Sequence, residues 1–202
     1  MKKIMFNDKY GLTKAVLEGK KTQTRRVVPK DFFSLNWDVK ERTLVYENDF
    51  GDFVDIRNSK YALFHVGEIV AVAQSYKYAG IKPEYIVGYE NYGTPITAIQ
   101  SPGWTNKMFV KPELMPHQIR ITNFRVEHLQ DISDEDCLKE GISPMIVGCE
   151  YYVFTLIDKE KGRFLDYKTP REAYAALIDK VSGKGTWDKN PYVFVYDFEQ
   201  KK

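Results

Sequence analysis

Seven consecutive residues, Lys20-Lys21-Thr22-Gln23-Thr24-Arg25-Arg26, concentrate the groups in this sequence that could do chemistry. Four cations, two hydroxyls and a carboxamide stand together, followed by one apolar pair, Val27-Val28. An unpaired charge is very costly to bury. The segment is therefore expected to line a surface or a cleft that receives an anionic or strongly polar partner. Residues 1–30 enlarge the signal, with Lys2, Lys3, Lys9, Lys14 and Lys30 added to the cluster against only Asp8 and Glu18. Residues 131–140 reverse it, with Asp134, Glu135, Asp136 and Glu140 against Lys139. The net charge is only +2, so any attraction for an anion has to come from this local asymmetry. In a binding role Arg25 and Arg26 would contact phosphate, and Trp104, Trp187 or Tyr192 would stack on a base.

Other reactive side chains carry weaker patterns. His65, His117 and His128 have no metal-ligand spacing, and neither do the two cysteines, Cys137 and Cys149. No pattern asks for a metal or an organic cofactor. The chain starts without a secretory pattern, so the cysteines read as reduced thiols and the protein as cytoplasmic. No run approaches the roughly 18 apolar residues of a membrane span.

The elements that must position the basic segment follow from local signals. Residues 10–18 read as a short helix, with Leu12 and Val16 four apart and Gly19 placed to end it. The basic segment then runs extended until Pro29. Residues 43–46 and 53–56 flank Asn48-Asp49-Phe50-Gly51 as a hairpin. Strands are expected over 69–73, 118–126 and 192–198, and a second hairpin joins 151–157 to 164–167. Two helix starts are explicit: Ser133 before Asp134-Glu135-Asp136, and Thr169-Pro170-Arg171-Glu172, with Tyr174, Leu177, Ile178 and Val181 continuing the second at helical spacing. Seven Gly and Pro residues punctuate 77–106, which reads as an inserted surface excursion, a lid or flap. Extended segments without regular helical crossovers indicate one α+β domain over 1–202, its mixed sheet curled into a barrel.

Gly19-Lys20-Lys21-Thr22-Gln23-Thr24-Arg25-Arg26 resembles the signature of the ASCH family, a branch of the PUA-like superfamily. Val66-Gly67-Glu68-Ile69-Val70, Leu129-Gln130-Asp131-Ile132-Ser133 with Glu140-Gly141-Ile142, and Gly185-Thr186-Trp187-Asp188-Lys189-Asn190-Pro191 follow in family order. The last of these is similar to the larger phage- and bacteria-associated members, and Met115-Pro116-His117 resembles a family segment near the cleft. The resemblance implies a PUA-like β-barrel with flanking helices and a cleft for RNA, a nucleotide or a modified nucleoside. Some small members are amidohydrolases that deacylate N4-acylated cytidine. Matching their catalytic set onto this motif implies Lys21, Thr24 and a glutamate, Glu140, with Glu135 as competitor one turn away.

That set is chemically coherent. A threonine hydroxyl needs a base, and a lysine serves as one only when its pKa falls below about 10.4. Cationic neighbours and desolvation act in that direction. Arg25 or Arg26 could hold the oxyanion, and Glu140 could carry a proton to the leaving nitrogen. In a regular strand, however, Lys21 and Thr24 would point to opposite faces, so residues 20–23 must turn before the strand begins. The expected function is RNA or nucleotide binding in a basic cleft formed by residues 20–26, with Lys20, Gln23, Arg25, Arg26, Trp104, His117 and Trp187 as contacts; the alternatives are deacylation of an N4-acylated cytidine or a related nucleoside, and an interaction module in a phage context without nucleic-acid binding.

Overall fold

A computed structural model describes residues 1–29, 37–40, 43–47, 51–59, 61–81, 88–89, 95–96, 101–147, 151–158 and 161–201. In chain order the elements are β1 (Lys2–Ile4), α1 (Leu12–Leu17), β2 (Gln23–Val27), β3 (Trp37–Lys40), β4 (Thr43–Glu47), β5 (Phe53–Asp55), β6 (Ile69–Val72), β7 (Gly88–Tyr89) and β8 (Pro95–Ile96). They continue with β9 (Gln118–His128), α2 (Asp134–Lys139), β10 (Ser143–Val147), β11 (Tyr151–Asp158), β12 (Arg163–Tyr167), α3 (Pro170–Ser182), α4 (Thr186–Lys189) and β13 (Tyr192–Gln200).

The central element is a five-stranded mixed sheet in the order β1-β6-β9-β13-β2. Only β1 and β6 run parallel; every other neighbour is antiparallel. Runs of β-branched and aromatic residues place Val70, Val72, Ile119, Ile121, Val193, Phe194 and Val195 in the core. Helix α3 buries Ala173, Tyr174, Leu177 and Ile178 in the same cluster. Its start is fixed by the expected box: the Thr169 hydroxyl accepts from Glu172 N–H, and Pro170 occupies the first turn. Helix α2 is likewise capped by Ser133, whose hydroxyl accepts from Asp136 N–H at 3.1 Å.

The chain is thus α+β, with a mixed sheet and few helices, but the expected barrel is not closed among the described residues. Edge strands β1 and β2 share no ladder. A side chain takes its place: Arg26 Nη2 donates to Met5 O at 2.7 Å, across the seam between them.

Both expected hairpins form. Strand β4 pairs with β5, and β11 pairs with β12; β3 and β10 extend each into a three-stranded sheet that the sequence pattern did not indicate. The connecting residues 48–50 lie outside the described residues, as does Cys149. Strand β1 was also missed, being three residues long. Within 77–106 the described parts include the β7–β8 ladder and a helical turn at Pro102–Trp104. Trp104 packs there against a second apolar cluster of Ala71, Ala73, Tyr76, Val110 and Met115. No helix among the described residues is long and apolar enough to cross a membrane.

Candidate functional site

The basic segment is held by backbone bonds before it becomes a strand. Helix α1 ends at Gly19, whose φ of +71° is the left-handed conformation that glycine tolerates. The N–H groups of Lys20 and Lys21 both return to Ala15 O, at 2.9 and 3.0 Å. Thr22 N–H then reaches Lys139 O at the end of α2, and Thr22 O accepts from Phe198 N–H. Only at Gln23 does β2 begin, with Thr24 paired to Tyr196 of β13. This is the turn that Lys21 and Thr24 need in order to serve one cleft.

Glu140 arrives from the other direction. It caps the C-terminus of α2, and Gly141 follows with φ +100°. Lys21 Nζ lies 2.5 Å from Glu140 Oε2 and 2.7 Å from Glu140 O. The two side chains are 1% and 5% exposed. Burial pulls the Lys21 pKa below its usual value, with Glu140 pulling the other way. The competing Glu135 instead pairs with Lys139 at 2.9 Å on the surface, its side chain 78% exposed. A cleft of about 80 Å³ collects Lys21, Thr24, Arg25, Arg26, Glu140 and Tyr174 around Phe6.

Two of its polar groups lack a partner. Among the described residues nothing hydrogen-bonds the Thr24 hydroxyl, and Thr24 is buried. The Tyr174 hydroxyl is buried and has no hydrogen-bond partner. A buried tyrosine normally finds one, and an unsatisfied buried polar group costs about 1–3 kcal/mol. Burial, reinforced by Glu140, holds the Tyr174 hydroxyl well above its usual pKa, so it stays a donor. In the sequence Tyr174 is one position of an apolar helix face. Its spacing with Leu177 and Ile178 is the same for a core tyrosine and a site tyrosine, so periodicity gave no signal.

Arg25 also lines the cleft, but its donors are all taken. It bonds Glu127 Oε1 through Nε at 3.1 Å and Nη2 at 2.6 Å, Asp136 Oδ2 at 3.0 Å and Glu140 Oε1 at 3.3 Å, and it also donates to the Gln23 side chain. Gln23 in turn donates to Asp197 at 2.5 Å. Burial opposes the Arg25 charge, but Glu140 and Glu127 outweigh it and raise its pKa. Arg125 completes the cluster through Glu127, Asp136 and Asp197. Three cations (Lys21, Arg25, Arg125) therefore meet four carboxylates (Glu127, Asp136, Glu140, Asp197).

The remaining expected contacts lie apart from this cleft. Lys20 is 64% exposed and pairs with Glu18 at 2.7 Å. His117 is exposed just before β9. Trp187 stacks edge-on against Tyr174 and beneath Arg171, and it is not among the residues that line the cleft. Trp104 belongs to the second apolar cluster. Among the described residues no group of three or more His, Cys, Asp or Glu side chains could hold a metal ion. Compared with known proteins, the chain matches no family model, no curated protein and no solved structure.

Proposed function

We propose that the chain is an ASCH-type amidohydrolase that deacylates an N-acylated nucleoside such as N4-acylated cytidine, on an open form of the PUA-like barrel. The observation that carries the reading is the buried Lys21–Glu140 pair at 2.5 Å in a cleft that Thr24 also lines. Placement of a polyanion on residues 20–26 draws less support, because carboxylates already neutralise Lys20, Lys21 and Arg25. Among the described residues Arg26 alone of the four cations has no carboxylate partner.

In this reading the lowered pKa of Lys21 makes its neutral, basic form easier to reach. Its amine takes the Thr24 hydroxyl proton as the oxygen attacks the amide carbonyl carbon. The oxyanion is met by the Tyr174 hydroxyl, a donor already in place with nothing to bind. The C–N bond then breaks, and the departing N4 nitrogen takes a proton from the Lys21 ammonium, which Glu140 holds in position. Lys21, neutral again, takes a proton from a water as its oxygen attacks the acyl carbon; the C–O bond to Thr24 breaks, the Lys21 ammonium returns the proton to Thr24 Oγ, and the acyl group leaves as a carboxylic acid that ionises.

The cleft of about 80 Å³ is several waters in size, given that one water needs roughly 10–15 Å³ on this measure. It admits the acyl-amide head, not a whole nucleoside. The test is release of cytidine from N4-acetylcytidine by purified protein. Lys21→Ala and Thr24→Ala should each lower kcat by at least about 10³-fold, within the range of general-base and nucleophile losses. No turnover across a panel of N-acylated nucleosides would sink the reading.

A further inference from the structure

The open seam between β1 and β2 carries a second cavity. It measures about 590 Å³ and is lined by residues 2–5, Arg26 and the segment Ala62-Leu63-Phe64. Arg26 belongs to both cavities. Along the chain from Lys2 to Asn7 the lining passes from one to the other. An extended ligand with its head at Lys21 would thus leave the small cleft past Arg26 and enter the seam.

The groups that meet it there are cationic. Arg26 has five N–H donors in a fixed fork, and among the described residues its one hydrogen bond is from Nη2 to Met5 O. Its guanidinium lies over the Phe6 ring at 5.9 Å. Burial pulls the Arg26 pKa down, with Glu140 the largest opposing influence, as expected of a cation without a counter-ion of its own. Lys2 stands on the same seam, 48% exposed, with Nζ on Leu63 O at 2.8 Å and Glu68 at 3.3 Å, and 5.8 Å from the Phe64 ring. Lys3 is turned away: its ammonium is taken by Met108 O and Val110 O. Among the described residues no carboxylate lines the seam cavity.

We infer that this seam is the subsite for the phosphate of the substrate, Arg26 and Lys2 being its anchors, so that the protein takes nucleotides in preference to nucleosides. This rests on the deacylase reading for the base end of the ligand. The phosphate supplies the anion that Arg26 lacks, and the guanidinium fork suits two phosphate oxygens at once.

The test is calorimetric titration of the intact protein with cytidine 5′-monophosphate, cytidine and inorganic phosphate. The monophosphate should bind about tenfold more tightly than cytidine, the worth of one good charge-assisted contact. Arg26→Gln should abolish that advantage. Lys2→Gln, at a half-exposed position that leaves the fold undisturbed, should narrow it about threefold and make it less sensitive to salt. Equal affinity for nucleotide and nucleoside in the unmodified protein overturns the inference, as does an advantage that survives both substitutions. Turnover separates the two readings. Equal kcat/KM for N4-acetylcytidine and its 5′-monophosphate leaves the deacylase standing and removes the phosphate subsite. A phosphate preference lost in Arg26→Gln, without hydrolysis of either compound, keeps the subsite and removes the deacylase.

Discussion

Arg25 and Arg26 are neighbours on one strand and carry the same group, yet they live in opposite electrostatic worlds. Arg25 has a side chain with no exposure and is surrounded by Glu127, Asp136, Glu140 and Gln23. Among the described residues Arg26 makes one bond, to a neutral carbonyl. The strand pleat produces this difference, because successive side chains leave β2 on opposite sides. Of the odd positions, Arg25 meets Glu127 of β9 and Asp136 of α2, and Gln23 meets Asp197 of β13; Arg26 faces the seam. A polar cluster in which every donor and acceptor is matched rigidifies the fold and leaves nothing for a ligand. A cluster with unmatched groups (Arg26, the Thr24 and Tyr174 hydroxyls) has interactions to offer. Saturation separates scaffold from site more sharply than charge does.

The largest expected effect tests that separation directly. Arg25→Met removes the shared partner of three carboxylates and should cost about 3–5 kcal/mol of stability, as breaking buried ion pairs does. Arg26→Met, losing one hydrogen bond to a neutral carbonyl, should cost no more than about 1.5 kcal/mol. Urea unfolding of both variants reads the contrast, and equal losses would erase it. Tyr174→Phe comes next. Losing one oxyanion donor should lower kcat about 10²-fold, roughly 2.7 kcal/mol, while deleting an unpartnered hydroxyl should leave the protein as stable or more so. A variant that loses activity and stability together would make Tyr174 part of the scaffold.

Much of the frame was legible because its signals are local. Ser133 and Thr169 declare their helices through bonds three residues long, and Gly19 ends α1 through its own backbone freedom. The meeting of Lys21 with Glu140, 119 residues apart in sequence, could be approached only through the family resemblance, and Arg25 with its acids was not legible at all. Its partners lie 102 to 115 residues away, and no periodicity encodes such a distance. The basic N-terminal region and the acidic stretch 131–140 were visible as an asymmetry expected to steer an anion. In the folded chain a large part of that asymmetry closes on itself: Lys21 and Arg25 take Glu140 and Asp136 as partners. Charges that look unpaired along a chain can be each other's counter-ions in space.

Acidity sharpens the comparison further. The folded-state pKa of Lys21 lies below the unfolded value of 10.5 because burial disfavours its charge. Between those two values the unfolded chain binds the extra proton, so stability rises with pH across that window. The base form of Lys21 grows over the same window, so kcat/KM should rise with it, along an ascending limb below 10.5. Lys21→Met should flatten the stability slope and remove the limb. A stability slope unchanged in that variant would assign the titration to another group.

The smallest effect belongs to Lys20, and it tests the comparison from the side of the null result. Lys20 and Lys21 are adjacent lysines of one motif, 64% and 1% exposed. Lys20 pairs with Glu18 in open solvent, where desolvation is slight and salt screens the pair. It touches neither the Lys21 cleft nor the seam. Lys20→Ala should therefore change neither the melting temperature nor the turnover of N4-acetylcytidine beyond measurement error. A loss of turnover at unchanged stability would show that the substrate reaches past Gly19 onto the end of α1. The site would then follow the whole basic motif, instead of the part of it that the fold leaves unpaired.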